Sequence, residues 1–228
     1  MEPEVKAVLL DAGGVLLMPD PAAFRVRLAP YGIAPDDEAC HRAHFLGMAE
    51  LDRIGRTDYP HADRVIAQWL GVAAGEVEAA ADAIKDVYLE DPFVPVHGVA
   101  EQLLRLQAAG IRLAIVSNAT GKVAAELAKH RICTTADSDC AYVDVVIDSA
   151  VVGVEKPDPA IFGFALEALQ LPPEQCVYLG DSVHFDVNGA RAAGIPAVHV
   201  APHTDCAAID HPHVASVHAF VDQLLGTW

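Results

Sequence analysis

Four short segments of this chain place chemically capable residues where an apolar run stops. In VLLDAGGVLL, Asp11 ends the run, and Gly13 and Gly14 behind it let the backbone turn tightly beside a carboxylate that could serve as nucleophile or metal ligand. LAIVSNATG sets Ser117 and Asn118 ahead of a helical stretch, where a hydroxyl and backbone N–H groups suit a phosphate oxygen. GVEKPDPAIF carries Lys156, an ammonium able to neutralise a carboxylate and a transferring phosphoryl group. VYLGDSVHFDVNGARAAG carries Asp181 and Asp186, oxygen donors of the kind that hard cations such as Mg²⁺ prefer. Each residue alone has an ordinary reading as turn aspartate, helix cap, exposed lysine or first-turn acid. The set is harder to explain that way than any one member.

The elements that must position these residues follow from hydrophobic pattern. Short β-branched runs at residues 5–10, 111–116, 143–147, 177–179 and 197–200 read as buried strands. Helical spacing at residues 99–109, 121–130, 159–169 and 183–193 alternates with them, which predicts a doubly wound, mainly parallel α/β sheet. Gly110 and Gly194 each follow an Ala-Ala pair and are expected to end helices with positive φ. From about residue 19 to residue 92 the pattern is helical only, so we divide the chain into an α/β core, residues 1–18 and 93–228, and a helical cap, residues 19–92, inserted after the first strand. Residues 203–216 read as a loop and 217–225 as a closing helix.

With 228 residues, 53% of them hydrophobic, the chain can bury one large domain or a core with a smaller insert. Its net charge of −17 repels nucleic acid and anionic lipid, so a phosphorylated partner needs local positive charge or metal. The opening MEPEVK has acids where an export signal has a positive region, and no stretch offers the 18 or so apolar residues of a membrane span. A cytoplasmic protein is expected. Five cysteines without a C-x-x-C pair read as free thiols. His199, His203, His211 and His213 crowd the C-terminal region, but D-H-P-H lacks i, i+4 spacing and a cysteine at zinc-finger distance, so a loop surface is the preferred reading.

In this order, the Asp, Ser-Asn, Lys-Pro and Gly-Asp-Ser segments resemble the haloacid dehalogenase-like hydrolase superfamily over nearly the whole chain, in its phosphatase-like branch with a helical cap after the first motif. The resemblance implies a Rossmann-like core and a Mg²⁺-dependent phosphomonoesterase acting on a small phosphorylated metabolite. Asp11 would be the nucleophile and a metal ligand, and Lys156 would orient Asp11 and phosphate. Ser117 and Asn118 would bind phosphate, with Gly13 and Gly14 beside them. Asp181 would coordinate the metal together with the Gly13 carbonyl, and Asp186 would reach the same metal indirectly, through water or another ligand.

The chain departs from that pattern at Gly13, where phosphatases of the superfamily usually carry a second Asp that acts as general acid and then base. Proton transfer of that kind contributes about 10²- to 10⁴-fold in rate. We therefore expect a substrate whose leaving group needs little protonation, such as an anomeric sugar phosphate or acyl phosphate, or an acid from the cap, with His41, His44 and Glu50 as candidates. Other readings are a 2-haloacid dehalogenase, a phosphonate hydrolase, for which Lys85 is the cap's only lysine, and an inert Mg²⁺- or phosphate-binding module. Arg25, Arg53 and Arg56 could grip a substrate anion or simply form a solvated helix face.

Overall fold

The computed structural model describes residues 5–90, 92–203, 206 and 210–226. The chain forms two compact units, one from the segment up to Leu17 together with that from Pro95 onward, the other Met18–Val94. In chain order the elements are β1 (Ala7–Leu10), β2 (Leu17–Pro19), α1 (Pro21–Leu28), α2 (Asp37–Ile54), α3 (Tyr59–Trp69), α4 (Val77–Leu89), β3 (Phe93–Pro95), α5 (Val99–Ala108), β4 (Arg112–Ser117) and α6 (Val123–Lys129). They continue with β5 (Cys133–Thr134), β6 (Ala141–Tyr142), β7 (Val145–Asp148), α7 (Ser149–Val152), α8 (Ala160–Leu169), β8 (Cys176–Gly180), α9 (Asn188–Ala192), β9 (Ala197–Val200), β10 (His213–Val214) and α10 (Val217–Leu225).

Among the described residues the central sheet has six strands in the order β10-β9-β8-β1-β4-β7, every neighbouring pair parallel. This is the expected doubly wound α/β fold. Strand side chains alternate between faces, and Ala7 and Leu9 of β1 pack with Ala114, Val116 and Tyr178 against Ile161, Phe162 and Ala165 of α8 and Ala190 of α9. On α5, Val99, Leu103 and Leu106 are buried. Gly110 and Gly194 do end helices with positive φ, 81° and 79°.

The second unit is helical: Phe24, Leu28, Ala43, Ile66, Ala80 and Ile84 of α1 to α4 share one core. Asp20, Asp36 and Asp58 cap α1, α2 and α3 by accepting from the amides of Ala22, Ala39 and His61, which satisfies donors that a helix start leaves open. No helix among the described residues is long and apolar enough to cross a membrane.

Two features differ from expectation. The helix expected over residues 183–193 opens with a wider π-type turn, Val183–Val187, before α9. The stretch expected as a loop holds β10, which extends the sheet beside β9, and His199 and His211 are buried rather than on a loop surface. A sheet edge recruits a short extended segment because pairing satisfies its backbone groups.

Candidate active site

β1 lies at the centre of the sheet; after it the chain adds β4 and β7 on one side and then crosses over to add β8, β9 and β10 on the other. The carboxyl ends of parallel strands at such a switch point form a crevice in open α/β folds. Asp11 directly follows β1, with its amide donating to the Leu179 carbonyl of β8 (2.9 Å). Ser117 ends β4, and Asp181 follows β8. Gly14 has φ 67°, a conformation that favours glycine, and its amide donates to the Leu17 carbonyl, closing the turn behind Asp11.

Lys156 comes from the connection between α7 and α8 and is buried. Its Nζ donates to Asp11 Oδ2 (3.0 Å), Asp186 Oδ1 (2.7 Å) and the Tyr178 hydroxyl (3.0 Å). An ammonium has three donors, and here each meets an acceptor. Asn118 holds the lysine's backbone at both ends: its Nδ2 donates to the Lys156 carbonyl (3.0 Å), and the Lys156 amide donates to its Oδ1 (2.8 Å). The side chain expected to meet phosphate thus also positions Lys156.

Asp11, Asp181 and Asp186 each bring a carboxylate oxygen within 4.8 Å of the others. Burial lifts the Asp11 carboxyl from the ordinary range to about 7; Lys156 pulls it down, and Asp186 and Asp181 push it up. Burial works against the Lys156 charge, but Asp11 and Asp186 outweigh it and hold the ammonium protonated. Within this cluster of buried acids, Asp11 and Asp181 offer oxygen donors that suit a hard divalent cation, which would return Asp11 to its ionised form.

The three acids are not equivalent. Asp186 Oδ1 accepts from Lys156 and lies 2.9 Å from the Tyr178 hydroxyl, and its Oδ2 accepts from the amides of Asp181 and Ser182, both at 3.0 Å. A carboxylate offers about four acceptor positions, so those of Asp186 are taken up by the protein itself. Asp11 Oδ1 accepts from the Ala12 amide (2.7 Å) and Oδ2 from Lys156, which leaves it acceptor capacity. Gly180 is required beside them, since a Cβ there would lie 2.3 Å from Asp186 Cγ. At Gly13 a Cβ would meet nothing within 4 Å.

Sequence reasoning missed three supporting residues. Tyr178 sits inside an apolar strand with no pattern to mark it, yet its hydroxyl joins Lys156, Asp186 and the Val116 carbonyl (3.0 Å). Asp148 ends β7 as Asp11 ends its run, a cue that was available; its Oδ2 accepts from the Gly121 amide (2.9 Å) and holds the loop after β4. Ser149 Oγ accepts from the Ala119 amide (3.1 Å) in the same loop.

In the helical unit, Glu50 is ion-paired with Arg53 (2.6 Å) and hydrogen-bonded to His61, and its carboxyl is held down at about 2, chiefly by Arg53. That shift runs opposite to the one a general acid needs. His41 lies tilted against Phe45, and His44 is buried against Phe45 and Tyr88. Arg25 pairs with Asp37 and Arg56 with Asp58, each at 2.7 Å, so with Arg53 on Glu50 the three arginines serve internal ion pairs. Lys85 pairs with Asp82 (3.3 Å).

Fold and site together define an α/β protein with a lysine-held aspartate and a carboxylate cluster at the switch point of a parallel sheet. The chain belongs to the haloacid dehalogenase-like hydrolase family, whose model matches residues 5–194. It is 32% identical over 148 residues to a phosphoserine phosphatase of Thermus thermophilus, covering 62% of this chain and 55% of that one. It is 31% identical over 153 residues to a ribulose-1,5-bisphosphate 5-phosphatase of Halopiger xanaduensis, covering 67% and 61%. The chain thus spans little more than half the length of these relatives. A haloacid dehalogenase-superfamily hydrolase of Ehrlichia chaffeensis shares the fold at a TM-score of 0.63 and 21% identity, covering 99% of this chain and 98% of that one.

Proposed function

We propose that the chain is a cytoplasmic, Mg²⁺-dependent phosphomonoesterase that uses Asp11 as nucleophile on a small phosphorylated metabolite. The observation that carries this reading is the Asp11–Lys156 ion pair at the carboxyl end of the central strand, with Asp181 beside it. The names of the relatives, phosphatases of small metabolites, support the substrate class.

In this mechanism an Asp11 oxygen forms a bond to phosphorus as the bond to the leaving oxygen breaks, giving an aspartyl-phosphate. Water then attacks phosphorus, the aspartyl oxygen leaves, and phosphate departs. Lys156 holds the nucleophile and offsets charge on the phosphoryl oxygens, while Ser117 and the backbone around Asn118, Gly13 and Gly14 receive those oxygens. Asp11, Asp181 and the Gly13 carbonyl would hold Mg²⁺, whose charge favours the ionised nucleophile and the developing oxyanions. Asp186 keeps Asp181 and Lys156 in place. Residues 19–92 would act as the cap that selects substrate.

Gly13 supplies no proton carrier, so the leaving group departs unassisted, which favours anomeric sugar phosphates and acyl phosphates over alkyl esters. A phosphate-release panel over the three classes, with Mg²⁺ or EDTA, tests this. Turnover is expected with Mg²⁺, and Asp11→Asn abolishes it. Activity persisting in that variant overturns the nucleophile. Gly13→Asp, for which the Cβ has room, is expected to raise alkyl ester hydrolysis about 10²-fold. Wild type cleaving alkyl esters as fast as the other classes removes the leaving-group preference.

A further inference from the structure

We propose that His199, Cys206, His211 and His213 form a second metal site that takes one Zn²⁺ in a tetrahedral set of three nitrogens and one sulfur. One ligand atom from each lies within 4.8 Å of all the others. The grouping is built by the sheet edge: parallel pairing places His213 directly beside His199, and His211, two residues earlier in an extended segment, turns to the same side. Ring centroids lie 5.3 Å apart for His199 and His211, 5.4 Å for His199 and His213, and 4.3 Å for His211 and His213.

Hydrogen bonds fix where the ring protons are. His199 Nε2 faces the Asp181 carbonyl (3.1 Å), which can only accept, so Nε2 carries the hydrogen. His211 Nδ1 faces Asp210 Oδ1 (2.8 Å), so there Nδ1 carries it. The remaining nitrogens, His199 Nδ1 and His211 Nε2, then point lone pair toward lone pair at 3.3 Å. Cys206 Sγ lies 3.7 Å from the same His211 Nε2, and His213 Nε2 is buried with no hydrogen-bond partner. Neutral imidazoles in this arrangement repel, whereas a cation at the centre satisfies all of them.

The spacing fits zinc. Bond lengths near 2.05 Å to nitrogen and 2.3 Å to sulfur give tetrahedral edges of about 3.3 Å between nitrogens and about 3.6 Å between nitrogen and sulfur, against 3.3 and 3.7 Å here. Imidazole with thiolate selects zinc over magnesium. Asp210 on His211 and the Asp181 carbonyl on His199 are the outer partners that orient metal-bound histidines. Four protein ligands close the site, so the ion is structural, and through His199 it steadies the backbone of Asp181.

Elemental analysis of tag-free protein purified with added zinc is expected to find about one zinc per chain, retained in Asp11→Asn. Cobalt-substituted protein should show tetrahedral d–d bands and a thiolate-to-cobalt charge-transfer band, the latter lost in Cys206→Ser. Asp210→Asn leaves all four ligands in place and is expected to weaken zinc about ten- to hundredfold in chelator competition, which covers the case where Cys206→Ser fails to fold. Wild type with neither zinc nor the cobalt–thiolate band overturns the site. So does zinc that is lost in Asp11→Asn and kept in Cys206→Ser.

Discussion

At the scale of residues, the site turns on how many hydrogen bonds each group can make. Lys156 has three donors and three acceptors around it, and Asp186 has its acceptor positions filled by Lys156, Tyr178 and two amides. These two residues therefore brace Asp11, which the proposed mechanism uses as nucleophile beside Asp181. Tyr178→Phe removes one acceptor from a buried ammonium and the hydroxyl beside the Val116 carbonyl. The variant is expected to lose about 1 to 3 kcal/mol in denaturant unfolding, with a lower kcat and little change in KM. Wild-type stability in Tyr178→Phe would mean that Lys156 does not depend on this hydroxyl.

At the scale of elements, the strand ends do the positioning, since adjacent parallel strands bring Asp11, Ser117 and Asp181 to the carboxyl end of the sheet. The turn after β8 folds Asp186 back onto the amides of Asp181 and Ser182, and only a glycine at position 180 leaves space for the carboxylate. Gly180→Ala is expected to displace Asp186, cost about 1 to 3 kcal/mol from overpacking and suppress phosphate release. Wild-type activity and stability in this variant would show that the close approach is dispensable. The helical unit uses its charges internally, with Arg25, Arg53 and Arg56 on Asp37, Glu50 and Asp58.

At the scale of the whole molecule, a chain of net charge −17 carries acids that burial makes costly. Burial raises Asp63 from 3.8 to about 7, with Lys85 and Arg64 opposing. Between those values the folded state keeps a proton that the unfolded state has lost, so stability falls as pH rises through that window. The slope approaches about 1.4 kcal/mol per pH unit. Asp63→Asn should remove this dependence and gain on wild type from pH 4 to pH 7, read by chemical denaturation at several pH values. Parallel pH profiles for the two proteins would remove Asp63 as the source.

What the sequence determined by itself was the alternation of apolar strands and amphipathic helices, the helical stretch between residues 19 and 92, and the four polar segments, three of which close strands while the Lys156 segment follows α7. Those signals are local: period, turn glycines and strand-ending acids are written in neighbouring residues. What only the tertiary structure decided was which groups converge and which are already occupied. Tyr178 lies in an apolar run, and its role depends on Lys156, 22 residues away. Asn118 reads as a phosphate ligand in the sequence, and only the structure shows its amide gripping the Lys156 backbone. His199, Cys206, His211 and His213 show no zinc spacing along the chain, because β10 pairs beside β9 and brings them together across the sheet edge. Side-chain convergence depends on strand pairing and register, which sequence separation does not encode.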